Sequence, residues 1–248
     1  MQAILLAAGF GSRLRPLTDH LPKSLTEING TPLIINALSI LANNGVNETI
    51  IVIGHMREKI IERIGFEVNG MKITYVENVI YHNTNNIYSL YLTKDYIIDD
   101  VLLLECDLFY NDELIKSILR GSASCNILVS AYNSDTMEGT VIKVDKENNA
   151  LNLIVKKQQG SEFDFTDMKK TVNIYKFSKE FMALKYMPAI ELYVKTQNVN
   201  SYYELVLGSL IYYGNDNIKV VEVDESEWSE VDDLRDLKIA EDKFKTKL

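Results

Sequence analysis

The sequence has few cysteines, no excess of positive charge and no long apolar run. Its two cysteines, Cys106 and Cys125, are too few for a disulfide framework, fit a reducing compartment and argue equally against a metal–thiolate site. The formal net charge of −9 argues against a nucleic-acid partner or an anionic-membrane surface. No apolar run approaches the roughly 18 residues that a membrane span needs. We therefore expect a soluble, cytoplasmic protein without membrane insertion.

The sequence also lacks any sign of division into parts. It has no internal repeat, low-complexity segment or linker. Met1–Ala8 is apolar but has no basic segment before it and leads directly into a glycine-rich turn, so we expect no signal peptide. The 248 residues, 46% of them hydrophobic, can form one large core, and we expect a single domain over residues 1–248.

A short apolar strand and a glycine-rich turn open the chain. Ala3–Ala8 is an uninterrupted apolar run, which predicts a buried parallel strand. Gly9 and Gly11 follow it, and they let the backbone turn sharply and approach a ligand closely. Because successive backbone N–H groups in such a turn form an anion-binding concavity, the stretch predicts a site for a phosphate-rich ligand.

Positive side chains are concentrated around this turn. The first 23 residues carry Arg13, Arg15 and Lys23 against one aspartate, a side-chain charge of +2 in an acidic chain. Cations placed together on a glycine loop indicate that an anion binds there. The pattern is not the dinucleotide-binding fingerprint, because Leu14 stands at its third glycine position, and no Gly-Lys-Ser/Thr follows as in a Walker loop.

Strand and helix patterns alternate over the first eighty residues. Pro32–Asn43 and Glu58–Ile64 predict helices, while Glu48–Ile53 and Lys72–Glu77 predict strands. This alternation predicts an α/β fold with a doubly wound, mostly parallel twisted sheet of the Rossmann-like kind. Ligands in such sheets lie beyond the carboxyl ends of the strands, where the glycine-rich turn and Gly54 both occur.

The second half of the chain predicts a small inserted β-rich region and further helices. Thr140–Val144 and Leu151–Lys156 predict a hairpin after a loop over Ser134–Gly139. Lys179–Tyr186 and Ala189–Thr196 predict two helices that are separated at Pro188. The other predicted elements are strands over Val101–Glu105, Asn126–Ala131, Thr171–Phe177 and Lys219–Val223, and helices over Asn83–Leu92, Asp112–Leu119, Tyr202–Tyr212 and 232–245.

The glycine loop is specific as a whole string. Leu6-Ala7-Ala8-Gly9-Phe10-Gly11-Ser12-Arg13-Leu14, with Pro22-Lys23 beginning nine residues after Arg13, resembles the signature loop of nucleotidyltransferases that act on sugar phosphates and choline phosphate. The resemblance implies that the loop wraps a nucleoside triphosphate. It also implies that Arg13 and Lys23 are catalytic residues that lie against the phosphates.

A second stretch favours one branch of that family. Asn85-Asn86-Ile87-Tyr88-Ser89-Leu90 resembles the part of the choline-phosphate cytidylyltransferases that faces nucleotide and acceptor. From the residues alone, Asn83 or Thr84 is the candidate cap of this helix, and the asparagines at its start are equally well explained by capping and turn chemistry. The candidate nucleotide-binding residues are Leu6, Ala7, Ala8, Gly9, Phe10, Gly11, Ser12, Gly54, Asn86 and Ser89.

Two aspartates are candidate ligands of Mg²⁺, a cation that takes one or two carboxylates together with substrate phosphates. Asp107 follows a buried strand, where the resemblance implies an acidic metal ligand, although Cys106 replaces the usual glycine and Glu105 is a competing carboxylate. Asp232 ends an aromatic-x-Glu-hydrophobic-Asp pattern that resembles the second metal-binding carboxylate of the family. Without the resemblance, Asp232 and Asp233 predict only a helix cap, and Asp233 remains the expected cap.

The candidate acceptor-binding residues are Asn85, Lys157, Asn173 and Glu204. Lys157 is typical of solvated surface, but the resemblance implies a lysine near this point that meets the acceptor phosphate. Asn173 is polar among apolar neighbours, and it either is satisfied internally or, as in relatives, lies near the acceptor. Glu204 is one option for contact with an acceptor amine.

The resemblance implies a Mg²⁺-dependent cytidylyltransferase. CTP and a small phosphorylated alcohol or amine, phosphocholine first, or a phosphonate would give a CMP-linked product and pyrophosphate. The nucleotide half would be about 1–130 and the acceptor-side half about 131–248. The alternatives are a sugar-1-phosphate nucleotidyltransferase that uses UTP, dTTP or CTP, and a non-catalytic nucleotide-binding homologue. The oligomeric state stays open, a homodimer included.

Overall fold

A ten-stranded twisted sheet with helices on both faces positions the rest of the chain. The structure is a computed structural model, and it describes residues 1–133, 137–160, 163–214 and 216–245. Residues 134–136 of the expected loop over Ser134–Gly139 therefore lie outside the described residues. In the described residues the strands are β1 (Gln2–Ala7), β2 (Glu27–Ile28), β3 (Thr31–Pro32), β4 (Glu48–Ile53), β5 (Glu67–Val68), β6 (Met71–Glu77), β7 (Val101–Glu105), β8 (Leu108–Tyr110), β9 (Cys125–Ala131), β10 (Thr140–Val144), β11 (Ala150–Val155), β12 (Lys169–Phe177), β13 (Ile218–Glu222) and β14 (Trp228–Glu230). The helices there are α1 (Leu33–Asn43), α2 (Arg57–Ile64), α3 (Asn86–Tyr91), α4 (Asp112–Leu119), α5 (Lys179–Phe181), α6 (Met187–Thr196), α7 (Tyr203–Tyr213) and α8 (Leu234–Lys243).

The central strands run parallel, as the alternation of strands and helices predicts. The order across the sheet is β11-β10-β12-β7-β1-β4-β6-β5, with β9 and β13 joined beside β12. Strand β1 pairs in parallel with β4 and β7, so that Leu5 lies opposite Ile51 and Leu104. Strand β12 runs antiparallel to β7 and connects the parallel strands to the β10–β11 hairpin. The mostly parallel α/β fold with a β-rich region is confirmed.

Every residue of β1 is buried, because helices cover both faces of the sheet. Leu5 packs in a cluster with Leu38 of α1, and the neighbouring Ile4 packs in another cluster with Leu207 of α7. Burying a leucine side chain stabilises a fold by about 1.5–3 kcal/mol, so this strand is firmly anchored where the glycine loop begins. Within the described ranges, none of the helices has the length and apolar content that crossing a bilayer takes.

The predicted break between two helices at Pro188 is wrong. Helix α5 continues through a π-helical turn over Met182–Tyr186 directly into α6, and Pro188 lies in the first turn of α6. Proline is tolerated in a first turn because its missing N–H would have no partner within the helix there. The proline therefore marks where the helix is irregular, but the chain stays helical through this point.

Candidate active site

The carboxyl ends of the parallel strands border a cavity of about 440 Å³. Every site residue predicted from the sequence lines this cavity except Gly54. The cavity wall begins at the glycine loop after β1 and continues over the end of β7 and the start of α3. Strands β10, β12 and β14 and helix α7 complete it. The fold therefore assembles one site from residues that lie throughout the chain.

Gly11 fixes the path of the glycine loop. Its φ is 64°, in the left-handed region that glycine adopts at little cost, and a Cβ there would lie 2.7 Å from Lys23 Cβ. Its carbonyl accepts hydrogen bonds from the Leu14 N–H at 3.0 Å and the Thr18 hydroxyl at 2.8 Å. Gly11 therefore holds the loop against Lys23, whereas a Cβ at Gly9 would meet nothing within 4 Å.

Gly54 lies behind the loop. A Cβ there would lie 2.8 Å from the Ala8 carbonyl oxygen and 2.9 Å from the Tyr81 side chain. The glycine thus lets the end of β4 pack against the loop, and its predicted contact with nucleotide stays a prediction. Tyr81 does line the cavity, and its ring packs with those of Phe10 and His55.

Lys23 connects the predicted catalytic and metal-binding residues. Its Nζ lies 2.9 Å from Asp107 Oδ2 and 2.8 Å from Asp232 Oδ1, and Arg13 Nη2 also lies 2.8 Å from Asp232 Oδ1. Burial opposes the charge of Lys23, but the two carboxylates outweigh it and raise the pKa of Lys23 above its ordinary value. Burial likewise opposes the charge of Asp232, but Lys23 and Arg13 lower its pKa.

Arg15 does not join this cluster, contrary to the expectation from local charge. It is exposed, pairs with Asp19 at 3.2 Å and lies outside the lining of the cavity. The charge of Arg15 is therefore paired with Asp19, and of the cations around the glycine loop Arg13 and Lys23 remain to line the cavity.

Three carboxylates could hold a divalent cation. Asp107, Glu230 and Asp232 each offer one oxygen, and these oxygens all lie within 4.8 Å of one another. Asp107 Oδ1 is buried and, among the described residues, has no hydrogen-bond partner. Oxygen ligands of this kind suit Mg²⁺, so the residues fit the metal that the resemblance implies. Sequence reasoning missed Glu230, although in an extended segment it shares a side with Asp232 two residues later.

Another part of the cavity is acidic, where Glu204 is buried and Glu105 is half-buried. Asn86 Nδ2 donates to Glu105 Oε1 at 2.9 Å and to Glu204 Oε2 at 3.3 Å, and the Tyr203 hydroxyl donates to Glu105 Oε1 at 3.0 Å. Burial raises the pKa of Glu204 to about 7. Burial and the nearby charges of Asp107 and Glu204 raise the pKa of Glu105 well above its usual range.

Three further polar candidates, Asn85, Ser89 and Lys157, also line the cavity. The Asn85 side chain accepts from the Asn86 N–H at 2.8 Å and caps α3, so capping is confirmed at this helix start, but at Asn85 and not at Asn83 or Thr84. Ser89 accepts from Asn78 at 3.2 Å, and Asn78 is a lining residue that sequence reasoning missed. The predicted contact of Lys157 with the acceptor phosphate stays a prediction. The neighbouring Lys156 donates to the Met137 carbonyl at 2.9 Å.

Comparison with known proteins finds relatives of similar sequence. The chain is 31% identical over 244 residues to a CMP-5'-(3-aminopropyl)phosphonate synthase of Streptomyces rubellomurinus, covering 98% of this chain but 39% of that protein. It is 29% identical over 221 residues to a choline-phosphate cytidylyltransferase of Streptococcus pneumoniae, covering 83% of this chain and 93% of that protein. The chain thus spans well under half the length of the Streptomyces relative.

Solved structures give the same fold. The CTP:phosphocholine cytidylyltransferase of Streptococcus pneumoniae matches with a TM-score of 0.77 at 23% identity, covering 98% of this chain and 99% of that one. At that identity the likeness supports the fold alone. The sequence itself matches the family model for nucleotidyl transferases over residues 2–159, which is more than half of the chain. On this match, the chain belongs to the nucleotidyl transferase family.

Proposed function

We propose that the protein transfers CMP from CTP to a small phosphonate or phosphate monoester that carries a protonated amine, with Mg²⁺ and release of pyrophosphate. The observation that carries the acceptor class is the pair of the buried Glu204 and the half-buried Glu105, bridged by one Asn86 amide. A protonated amine would favour the charged form of these carboxyl groups and supply N–H donors to their oxygens. The Streptomyces relative, named for a 3-aminopropylphosphonate product, supports the same class.

Phosphocholine is the second candidate. It is favoured by the Asn85–Leu90 stretch and by the pneumococcal relative. A quaternary ammonium has no N–H to donate and binds best against several aromatic faces. The aromatic residues in the described lining are Phe10, Tyr81 and Tyr202, and the first two pack against each other at 5.0 Å. This arrangement favours an amine with N–H groups over the choline that the sequence puts first.

The chemistry needs positioning and charge neutralisation. An oxygen of the acceptor dianion attacks the α-phosphorus, and the bond to the β-phosphate oxygen breaks with its electron pair leaving on pyrophosphate. A phosphate monoester requires no protein base, because its second pKa is about 6. Lys23 would hold the α-phosphate and the acceptor, and Arg13 the leaving pyrophosphate. Asp107, Asp232 and Glu230 would hold Mg²⁺, which supplies positive charge to the phosphates when bound.

Pyrophosphate release with Mg²⁺ tests the proposal. The assay crosses CTP, UTP, dTTP and ATP with 2-aminoethylphosphonate, 3-aminopropylphosphonate, phosphoethanolamine, phosphocholine and glucose 1-phosphate. Propylphosphonate, which lacks the amine, is the matched control acceptor. We expect release with CTP and a primary amine acceptor, and little with propylphosphonate. A preference for UTP or dTTP with glucose 1-phosphate would contradict the proposal, and CTP binding without any turnover would favour a non-catalytic homologue.

Variants at the acidic pair test the acceptor class separately. Glu204→Gln removes one carboxylate and keeps the side-chain shape, so the KM for the amine acceptor should rise about tenfold or more while the KM for CTP stays within about twofold. Glu62→Gln on the exposed surface of α2 is the control. Equal acceptor KM values for Glu204→Gln and the wild type would exclude Glu204 from amine recognition.

A further inference from the structure

An irregularity in β12 brings two of its side chains onto Glu230. The pairing of β12 with β9 shifts register between Thr171 and Tyr175, and Asn173 within this interval has a φ of 58°. In a regular strand, side chains three residues apart point to opposite faces. Here Lys170 Nζ lies 3.3 Å from Glu230 Oε2, and Asn173 Nδ2 donates to Glu230 Oε1 at 3.4 Å. Bulges of this kind commonly redirect side chains beside active sites.

Lys170 is placed to act on Glu230 and not on a ligand. It is 2% exposed, does not line the cavity, and donates to the Thr171 carbonyl at 3.0 Å. Gly139, with a φ of 98°, leaves room for it, because a Cβ there would lie 2.9 Å from Lys170 Nζ. A buried ion pair adds little net stability compared with a well-packed apolar pair, so stability alone is a weak reason for a lysine here.

We propose that Lys170 is a positioning residue for the transfer reaction. It fixes the Glu230 carboxylate beside Asp107 and Asp232, so that the three carboxylates together bind the divalent cation that accompanies the nucleotide. Partners that orient a metal ligand commonly contribute about 10- to 100-fold to metal affinity. The inference rests on the proposed function for the presence of the metal, but not for the identity of the acceptor.

Metal binding without turnover tests this role. Mn²⁺ affinity is measured by electron paramagnetic resonance in the presence of a nucleoside triphosphate and without acceptor, for Lys170→Met, Glu230→Gln and the double variant. Lys169→Met is the matched control, because Lys169 is adjacent to Lys170 in the chain but pairs with Glu222 at 2.7 Å. Each of the three test variants should lose about tenfold in Mn²⁺ affinity, and the double variant no more than either single one. The control should stay within about twofold.

Several outcomes overturn the inference. Wild-type Mn²⁺ affinity in folded Lys170→Met, losses that multiply in the double variant, or an equal loss in Lys169→Met would each do so. If Lys170→Met does not fold, the double variant decides, because it removes both charges of the buried pair, and wild-type Mn²⁺ affinity in it overturns the inference. The titration is run with CTP, UTP, dTTP and ATP. Nucleotide-dependent Mn²⁺ binding with UTP, dTTP or ATP but not with CTP then contradicts the proposed function alone. Absence of such binding with all four nucleotides overturns the inference.

Discussion

Lys23 and Asp232 lie 209 residues apart in the chain, and their charged groups meet at 2.8 Å. The same ammonium lies 2.9 Å from Asp107, so one cation contacts two of the three carboxylates that could hold a metal. A bound divalent cation would supply positive charge to the carboxylates, and a bound triphosphate would supply negative charge to Lys23. The contact therefore brings the residue proposed for phosphate binding within a few ångströms of two residues proposed for metal binding.

The first prediction concerns Lys23. Lys23→Ala removes the cation that would stabilise the charge developing on the phosphates, and kcat should fall about 10²- to 10³-fold. Arg15→Ala is the control, because Arg15 is exposed and pairs with Asp19 away from the cavity. Its kcat should stay within about twofold of wild type. Steady-state pyrophosphate release measures both, and a Lys23→Ala enzyme that keeps more than about a tenth of kcat would disprove the role.

The second prediction separates two adjacent aspartates. Asp233 accepts hydrogen bonds from the Arg235 N–H at 2.8 Å and the Asp236 N–H at 3.0 Å, in a capping box at the start of α8. Asp233→Ala should lower the free energy of unfolding by about 1 kcal/mol and leave kcat nearly unchanged. Asp232→Asn should instead raise the Mg²⁺ concentration needed for half-maximal rate and lower kcat. An unchanged Mg²⁺ dependence in Asp232→Asn would remove Asp232 from the metal site.

Local patterns explain which parts of the site were predictable. The glycine loop and Asp107 directly follow buried strands, and parallel strands place their carboxyl ends at one edge of the sheet. The resemblance then identified Lys23 and Asp232, which no periodicity distinguishes. The first two predictions need only the order of elements along the chain, and all four features line the same cavity.

Features that depend on tertiary contacts were not predictable. The contact of Asn86 with Glu105 and Glu204 joins positions 19 and 118 residues apart, and nothing local signals it. The register shift in β12 breaks the two-residue alternation on which any assignment of Lys170 to a face depends. Glu230 is the exception, because its spacing from Asp232 in an extended segment was visible in the sequence.

The third prediction compares two glycines of the loop. Gly11→Ala places a Cβ 2.7 Å from Lys23 Cβ at a φ of 64°, and it should lower the free energy of unfolding by about 1–3 kcal/mol. Gly9→Ala meets nothing within 4 Å and should change stability by less than about 0.5 kcal/mol. Urea unfolding without ligand measures both changes. Equal losses in the two variants would mean that the contact with Lys23 does not decide the loop's conformation.

The last prediction concerns pH. Burial raises the pKa of Glu204 from 4.5 to about 7, so between these values the folded protein holds a proton that the unfolded chain has released. The free energy of unfolding must therefore fall as pH rises through this window, and the loss is complete above pH 7. Glu204→Gln removes this titration. Without ligand, the variant should be more stable than wild type by up to about 3 kcal/mol at pH 8, and the two should converge near pH 4.5.

Urea unfolding at pH 5 and pH 8 measures this difference, with Glu62→Gln as an exposed control whose curve should follow the wild type at both values. An equal difference in the free energy of unfolding between wild type and Glu204→Gln at pH 5 and pH 8 would show that Glu204 does not titrate in this window. Addition of an amine acceptor at pH 8 tests whether the amine lies beside Glu204. A protonated amine beside Glu204 favours the charged carboxylate, so the acceptor should stabilise the wild type more than Glu204→Gln at pH 8. Propylphosphonate should stabilise both equally, because it carries no positive charge to place there.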